Sequence, residues 1–275
     1  NSRCHRYNSV MPVQPRYVLE QEFFSRIPKA RKINPQYRGF FDLMYQAHEA
    51  ARLGKRLLNI YASWDLSGDR EAVYREKFFD ECEYEMLDFK EDRFIPDLSE
   101  HVIGIGDGQK KGTGSAGITG LQKGAGHVIP YPDNSFDIIV TTKYIFEHIS
   151  DPQKVVKEFY RVLKSGGEVF TIAAHIRRQH QPPWDYYRYT EYILDKLFRE
   201  AGFGEVILTP TNGFLATAAS YAYFFQRGLG APRWIERSFD WLHYWVLEPV
   251  LYTLDRLDNG YGRDMTMYFL VRAKV

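Results

Sequence analysis

Between Tyr131 and Ala174 the chain passes through a turn, an apolar strand, a capped amphipathic helix, a glycine stop and a second apolar strand, an order that few architectures accommodate. Pro132-Asp133-Asn134-Ser135 has turn chemistry. FDIIVTT follows as a strand, and Asp151 with Pro152 supplies an N-cap and a first-turn proline. Val155, Val156, Phe159, Val162 and Leu163 then share one helical face, Ser165-Gly166-Gly167 ends the helix, and EVFTIAA begins the next strand. Successive strands joined by a crossover helix are parallel, because an antiparallel pair needs only a tight turn.

The same rhythm extends in both directions. Residues 40–53 place apolar groups at helical spacing and stop at Gly54; Arg56 to Ala62 reads as a short buried strand. A helix through DREAVYREKFF, a strand EYEMLD ending on Asp88 and a strand HVIGI at His101 to Ile105 come next. After EVFTIAA, Thr190 is placed to cap a helix that exits at Gly202, and GEVILTP gives a further strand. FLATAASYAYFF and FDWLHYWVLEPVLYTLDRL read as two helices separated by Gly228, Gly230 and Pro232, before MTMYFLVRA closes the chain as a strand. The expectation is one α/β domain over residues 39–275, with a helical insertion at 212–264 between the last two strands, behind a basic arm at 1–38. The insertion's apolar surface could be cap packing, or could cover a substrate, a second protomer or a membrane interface.

Charge and cysteine content narrow the function classes. The 275 residues carry 36 basic and 35 acidic side chains, a net charge of +1, so no global field favours nucleic acid. The charge is uneven: eight Lys or Arg between Asn1 and Arg38 face only Glu20 and Glu22. Such an arm suits a membrane surface, RNA, a protein partner, a targeting remnant or a solvated leader, and Asn1 in first position suggests trimming. Cys4 and Cys82 make no disulfide framework, which points to a reducing compartment, the cytoplasm or an organelle matrix. No run of eighteen apolar residues is present to span a bilayer. Nine glycines between Gly104 and Gly126 oppose any regular element and read as a loop, either a lid or anion-holding segment or a surface insertion. It lacks the Gly-Lys-Ser/Thr ending of a phosphate loop; no zinc-type cysteine or paired-histidine spacing and no Gly-x-Ser-x-Gly elbow occur elsewhere. A metal is not expected.

PYPDNSFDIIVTTKYIFEHISDPQKVVKEFYRVLKSGGEVFTIAA, continued by HQPPWDYYRYTEYILDKLFREAGF, resembles class I S-adenosylmethionine-dependent methyltransferases of the small-molecule and glycan-cluster type. Ser165 stands where that family has proline in its Leu-Lys-Pro-Gly-Gly turn, and Tyr189 where phenylalanine is usual. The resemblance implies a Rossmann-like, seven-stranded, mostly parallel sheet whose last strand is antiparallel, with S-adenosylmethionine beyond the carboxyl ends of the first strands. Open α/β sheets bind ligands there in general. By this resemblance Asp88 accepts hydrogen bonds from the ribose hydroxyls, Asp107 lies where an adenine contact is held, and Lys143 stands near the cofactor edge; Asn59, Tyr61 and Ser63 belong to the first cofactor loop. That loop departs from the family, because no glycine occurs from Asn59 until Gly68. Either Gly68 turns the loop, or the pocket no longer takes the cofactor.

Methyl transfer from a sulfonium needs alignment and, for hydroxyl or amine acceptors, a base. His180 is the first candidate for that base. His148, in its Glu-His pair, is either a second base or a helix pin. Asp185, Tyr186 and Arg188 are the expected substrate contacts, with Asp185 and Arg188 alternatively a structural ion pair. The leading expectation is O- or N-methyl transfer to a small-molecule or glycan-like acceptor. The competing one is a methyltransferase-like subunit without catalysis that meets a protein partner through the arm and the aromatic insertion. A cleft bounded by Tyr61, Asp88 and Phe136 would favour the enzyme.

Overall fold

The computed structural model describes residues 35–51, 54–61, 78–79, 81–90, 93–96, 127–141, 145–180, 182–257 and 262–275. Helix α1 (Pro35–Ala50) precedes strand β1 (Arg56–Tyr61), followed by β2 (Glu83–Lys90), β3 (Arg93–Pro96) and β4 (Phe136–Thr141). Helix α2 (Pro152–Val162), β5 (Leu163–Ala174), α3 (Glu191–Ala201) and β6 (Glu205–Pro210) continue the alternation. Three helices, α4 (Phe214–Gly228), α5 (Arg233–Leu242) and α6 (Glu248–Leu254), come before β7 (Tyr268–Lys274). The strands form one seven-stranded sheet in the order β3-β2-β1-β4-β5-β7-β6. β2, β1, β4 and β5 are mutually parallel, and β7 runs antiparallel between β5 and β6.

Two expectations about the strands change. β2 does not end on Asp88; it continues to Lys90 and turns back, so that Lys90 pairs with Arg93 and Asp88 with Ile95 in antiparallel register. The seventh strand of the described sheet is therefore this short β3. The segment expected as a strand at His101–Ile105 lies outside the described residues, as do the glycine-rich loop 104–126 and almost all of the helix expected before β2.

Alternation along each strand divides the core in two. Leu58, Ile60, Leu87, Phe89 and Ile139 pack on one face with Val155, Val156, Phe159 and Val162 of α2 and Leu194, Leu197 and Phe198 of α3. Leu57, Tyr84, Ile138, Val140, Phe170 and Ile172 pack on the other with Phe40, Phe41, Leu43, Met44 and Ala47 of α1. Truncating a side chain as sealed as Phe159 costs about 3–5 kcal/mol.

Local signals act largely as the sequence predicts. Asp151 accepts the Lys154 amide at 3.0 Å, with Pro152 in the first turn. Thr190 occupies the N-cap of α3 in extended conformation, but its side chain makes no cap bond. Gly202 ends α3 at φ 115, where a Cβ would meet the Tyr160 ring at 2.8 Å. The LKSGG segment opens β5 rather than ending the helix, and Gly167 fits because a Cβ there would lie 2.9 Å from Lys164 O and 3.0 Å from Asp137 O.

The helices between β6 and β7 are tied back by Asp255. Its carboxylate accepts the amides of Gly213 (3.0 Å), Leu215 (2.8 Å) and Ala216 (3.0 Å), which have no intrahelical acceptor at the start of α4. A π-type turn at His243–Leu247 joins α5 to α6, so the second expected helix is two. Among the described residues no helix is long and apolar enough to cross a membrane.

Candidate functional site

Two clusters of sequence-singled residues sit beyond the carboxyl ends of the parallel strands. The first lies at the end of β1. Tyr61, the last residue of β1, is in register with Asp88 of β2, and both are half-buried. A carboxylate level with the exit of the first strand can accept two hydroxyl protons on its two oxygens, which suits a ribose. Asn59 behaves differently: it is fully buried, and its side-chain amide donates to the Tyr84 hydroxyl at 2.6 Å, within the core beneath α1. Ser63, Asp107 and Lys143 lie outside the described residues. Phe136 is misassigned to this cleft. It opens β4 at the opposite, amino end, where its ring packs edge-on against Tyr131 at 4.8 Å and beneath Arg56.

The second cluster forms where the loop after β5 folds back over the single 3-10 turn Phe146–His148 that follows β4. The Glu147 carbonyl accepts the amides of Tyr186 (2.9 Å) and Tyr187 (3.3 Å), and Tyr189 donates its hydroxyl to Phe146 O at 2.9 Å. Arg188 organises the loop. It pairs with both Asp185 oxygens at 2.6 and 2.8 Å, and donates to the carbonyls of Arg177 (3.0 Å), Arg178 (2.9 Å) and Tyr187 (2.7 Å). Asp185 also accepts the His180 amide at 2.7 Å. The structure thus brings together His148, His180, Asp185 and Arg188, while Tyr186 is an exposed ring at the rim.

Electrostatics differ sharply within this cluster. Burial works against the Asp185 charge, but the Arg188 bonds and the His180 amide overcome it and hold the carboxyl down at about 2. His180 is pushed down to about 4, by burial first and then by Arg177 and His148. Glu147 goes the other way: complete burial pushes its carboxyl up to about 8, against the opposing pull of Arg177 and Arg188. The sequence places Glu147 beside His148 near the expected cofactor edge but gives it no role of its own. The available signal was a carboxylate set among Ile145, Phe146 and Ile149, all fully buried.

Comparison with known proteins adds a likeness over part of the chain. A methyltransferase-domain model matches residues 89–171, from the end of β2 through most of β5. The match takes in 83 of the 275 residues, so that this part of the chain is similar to the methyltransferase family. The chain is 29% identical over 149 residues to the demethylmenaquinone methyltransferase of Listeria monocytogenes, covering 52% of this chain and 61% of the relative. It is 31% identical over 108 residues to the enzyme of the same name from Anoxybacillus flavithermus, covering 38% and 45%. A solved S-adenosylmethionine-dependent methyltransferase from Archaeoglobus fulgidus aligns over 94% of this chain and 100% of its own, at 12% identity and a TM-score of 0.45. The chain spans about three fifths or less of the length of these curated relatives.

Proposed function

We propose that the domain transfers a methyl group from S-adenosylmethionine to a hydroxyl or amine of a small-molecule or glycan-like acceptor. The observation that carries the reading is the pairing of two sites on one sheet edge: a carboxylate at Asp88 suited to a nucleoside, and a polar cluster after β4 and β5 suited to an acceptor. When bound, the cofactor supplies a sulfonium-activated methyl carbon. Asp88 would hold the ribose, with Tyr61 bounding the same edge; the cofactor would supply the methyl carbon with its sulfur as leaving group, and His180 would take the proton of the acceptor's oxygen or nitrogen. With its imidazole pushed down to about 4, His180 is neutral near pH 7 and has a lone pair available. Arg188 fixes the loop and Asp185, and so orients His180 rather than meeting the acceptor's charge directly.

Incubation with methyl-labelled cofactor and panels of phenolic, glycan and amine acceptors tests the reading. Expected is label transfer with release of S-adenosylhomocysteine, a roughly tenfold higher KM for cofactor in Asp88→Ala, and a lower kcat in His180→Ala. Absence of transfer with every acceptor, together with absence of cofactor binding, would overturn it.

A second reading, a subunit without catalysis that binds another protein, is favoured by the outer surface of α5 and the following turn. Trp234, Trp241 and Trp245 are 71%, 61% and 53% exposed there. It predicts a co-purifying protein that is lost on Trp241→Ser, with turnover absent.

A further inference from the structure

A feature of the second cluster goes beyond methyl transfer. Both carboxylate oxygens of Glu147 are buried, and neither has a hydrogen-bond partner among the described residues. Arg177, which acts on Glu147 electrostatically, lies over the Tyr268 ring at 5.4 Å and makes no ion pair with it. A sealed carboxylate in that condition requires either a proton or a cation.

Its neighbours are two imidazoles. His148 Nδ1 lies 2.6 Å from Trp184 O, and since a carbonyl only accepts, Nδ1 carries the proton and the lone pair is on Nε2. His180 has Nε2 3.7 Å from Glu147 Oε1 and Nδ1 3.5 Å from Asp185 Oδ2, so one ring nitrogen faces the carboxylate core and the other an acidic support. The two rings meet edge to face at 4.9 Å. One donor atom from each of Glu147, His148 and His180 falls within 4.8 Å of the others.

We propose that Glu147, His148 and His180 form a binding site for a divalent transition-metal ion. Two neutral imidazoles and one carboxylate suit zinc or ferrous iron better than magnesium or calcium, which favour oxygen donors. The supports match the donors: a backbone carbonyl fixes His148, and Asp185, itself clamped by Arg188, backs His180. Three protein ligands leave a coordination position open. Glu147 and His148 are sealed, so that position opens on the side of His180, whose side chain is 17% exposed. The site rests on these side chains whether or not the domain transfers methyl groups. One lone pair on His180 Nε2 cannot hold both an ion and the acceptor's proton, so in the metal-bound protein His180 is a ligand and not the base.

The test uses the full chain, stripped with a chelator, dialysed and titrated with Zn²⁺ in competition with a chromogenic chelator. One ion per chain is expected, and X-ray absorption at the zinc edge should show nitrogen and oxygen neighbours without sulfur. Asp185→Asn, which removes the support of His180 and loosens the Arg188 clamp without removing a ligand, should weaken binding roughly 10- to 100-fold, and Glu147→Gln and His180→Ala by more than that. Circular dichroism confirms that each variant is folded; His180→Ala, at the partly exposed position, serves if Glu147→Gln does not fold. Failure of the stripped wild type to bind one ion, a sulfur neighbour, or undiminished stoichiometric binding by folded His180→Ala would each overturn the proposal. Cofactor binding is read separately, so loss of the metal site and loss of the methyltransferase reading remain distinct results.

Discussion

The loop over residues 175–190 and the helices α4–α6 both lie outside the sheet, and both are rich in aromatic residues, yet they are held in opposite ways. The loop is fastened by charge: Arg188 joins Asp185 and three backbone carbonyls, and the Glu147 carbonyl takes two loop amides. Among the described residues the helices are tied back through α4, where Asp255 takes the first amides, Thr217 donates to Met265 O at 2.7 Å and Phe224 lies under Arg178, and they turn tryptophans outward. A loop whose Asp185 and His180 are held by an ion pair and backbone bonds is suited to presenting chemistry, whereas a surface whose large apolar groups are unburied within the chain contributes little to its own stability.

Arg188→Ala should have the largest effect, because it leaves Asp185 nearly buried and without its cation. A loss of about 3 kcal/mol is expected in urea unfolding, and a loss under 1 kcal/mol would break the contrast. Asp255→Ala orphans three helix-start amides and should cost about 1–2 kcal/mol; a cost equal to that of Arg188→Ala would mean the two regions are fastened alike. The loop should also respond to acid. Asp185 has a folded value near 2, below its unfolded value of roughly 4, so the native state binds fewer protons between them. Its contribution is complete above about pH 4 and is lost as pH falls towards 2; a wild-type stability curve no steeper there than that of Asp185→Asn would contradict the assignment. The smallest effect belongs to the outer surface of α5, where Trp241→Ser should change stability by less than about 0.5 kcal/mol. A larger loss would show that this tryptophan is packed within the chain.

Legibility in the sequence followed how local each determinant is. β4, α2 and β5 could be read because the Asp151 cap, Pro152 and the Val155-Val156-Phe159-Val162 face lie within a few residues of what they control. β7 was legible as a closing apolar strand, but its antiparallel direction came from family resemblance. β3 was missed, since four residues with no alternating pattern become a strand only by pairing with β2. Phe136 was assigned to the wrong end of the sheet, because a strand's residues do not state which end meets the cofactor until register with β1 is known. Asn59 was read as a loop residue, yet its amide is used inside the core by Tyr84, an interaction 25 positions away in the chain. The Asp185–Arg188 pair three residues apart was legible as an alternative to substrate contact, and the His180 amide that completes it became visible only once the loop was folded. Glu147 needed the whole loop: nothing in its neighbours says that residues 175–190 will close over it.

The central claim, that a nucleoside settles against Asp88 beside Tyr61, is tested most directly by calorimetric titration of the chain with S-adenosylhomocysteine. Saturable binding at one site per chain is expected, weakened about tenfold, or roughly 1.4 kcal/mol, in folded Asp88→Ala. The absence of heat and of any thermal shift at millimolar ligand, or equal affinity in the variant, would contradict it.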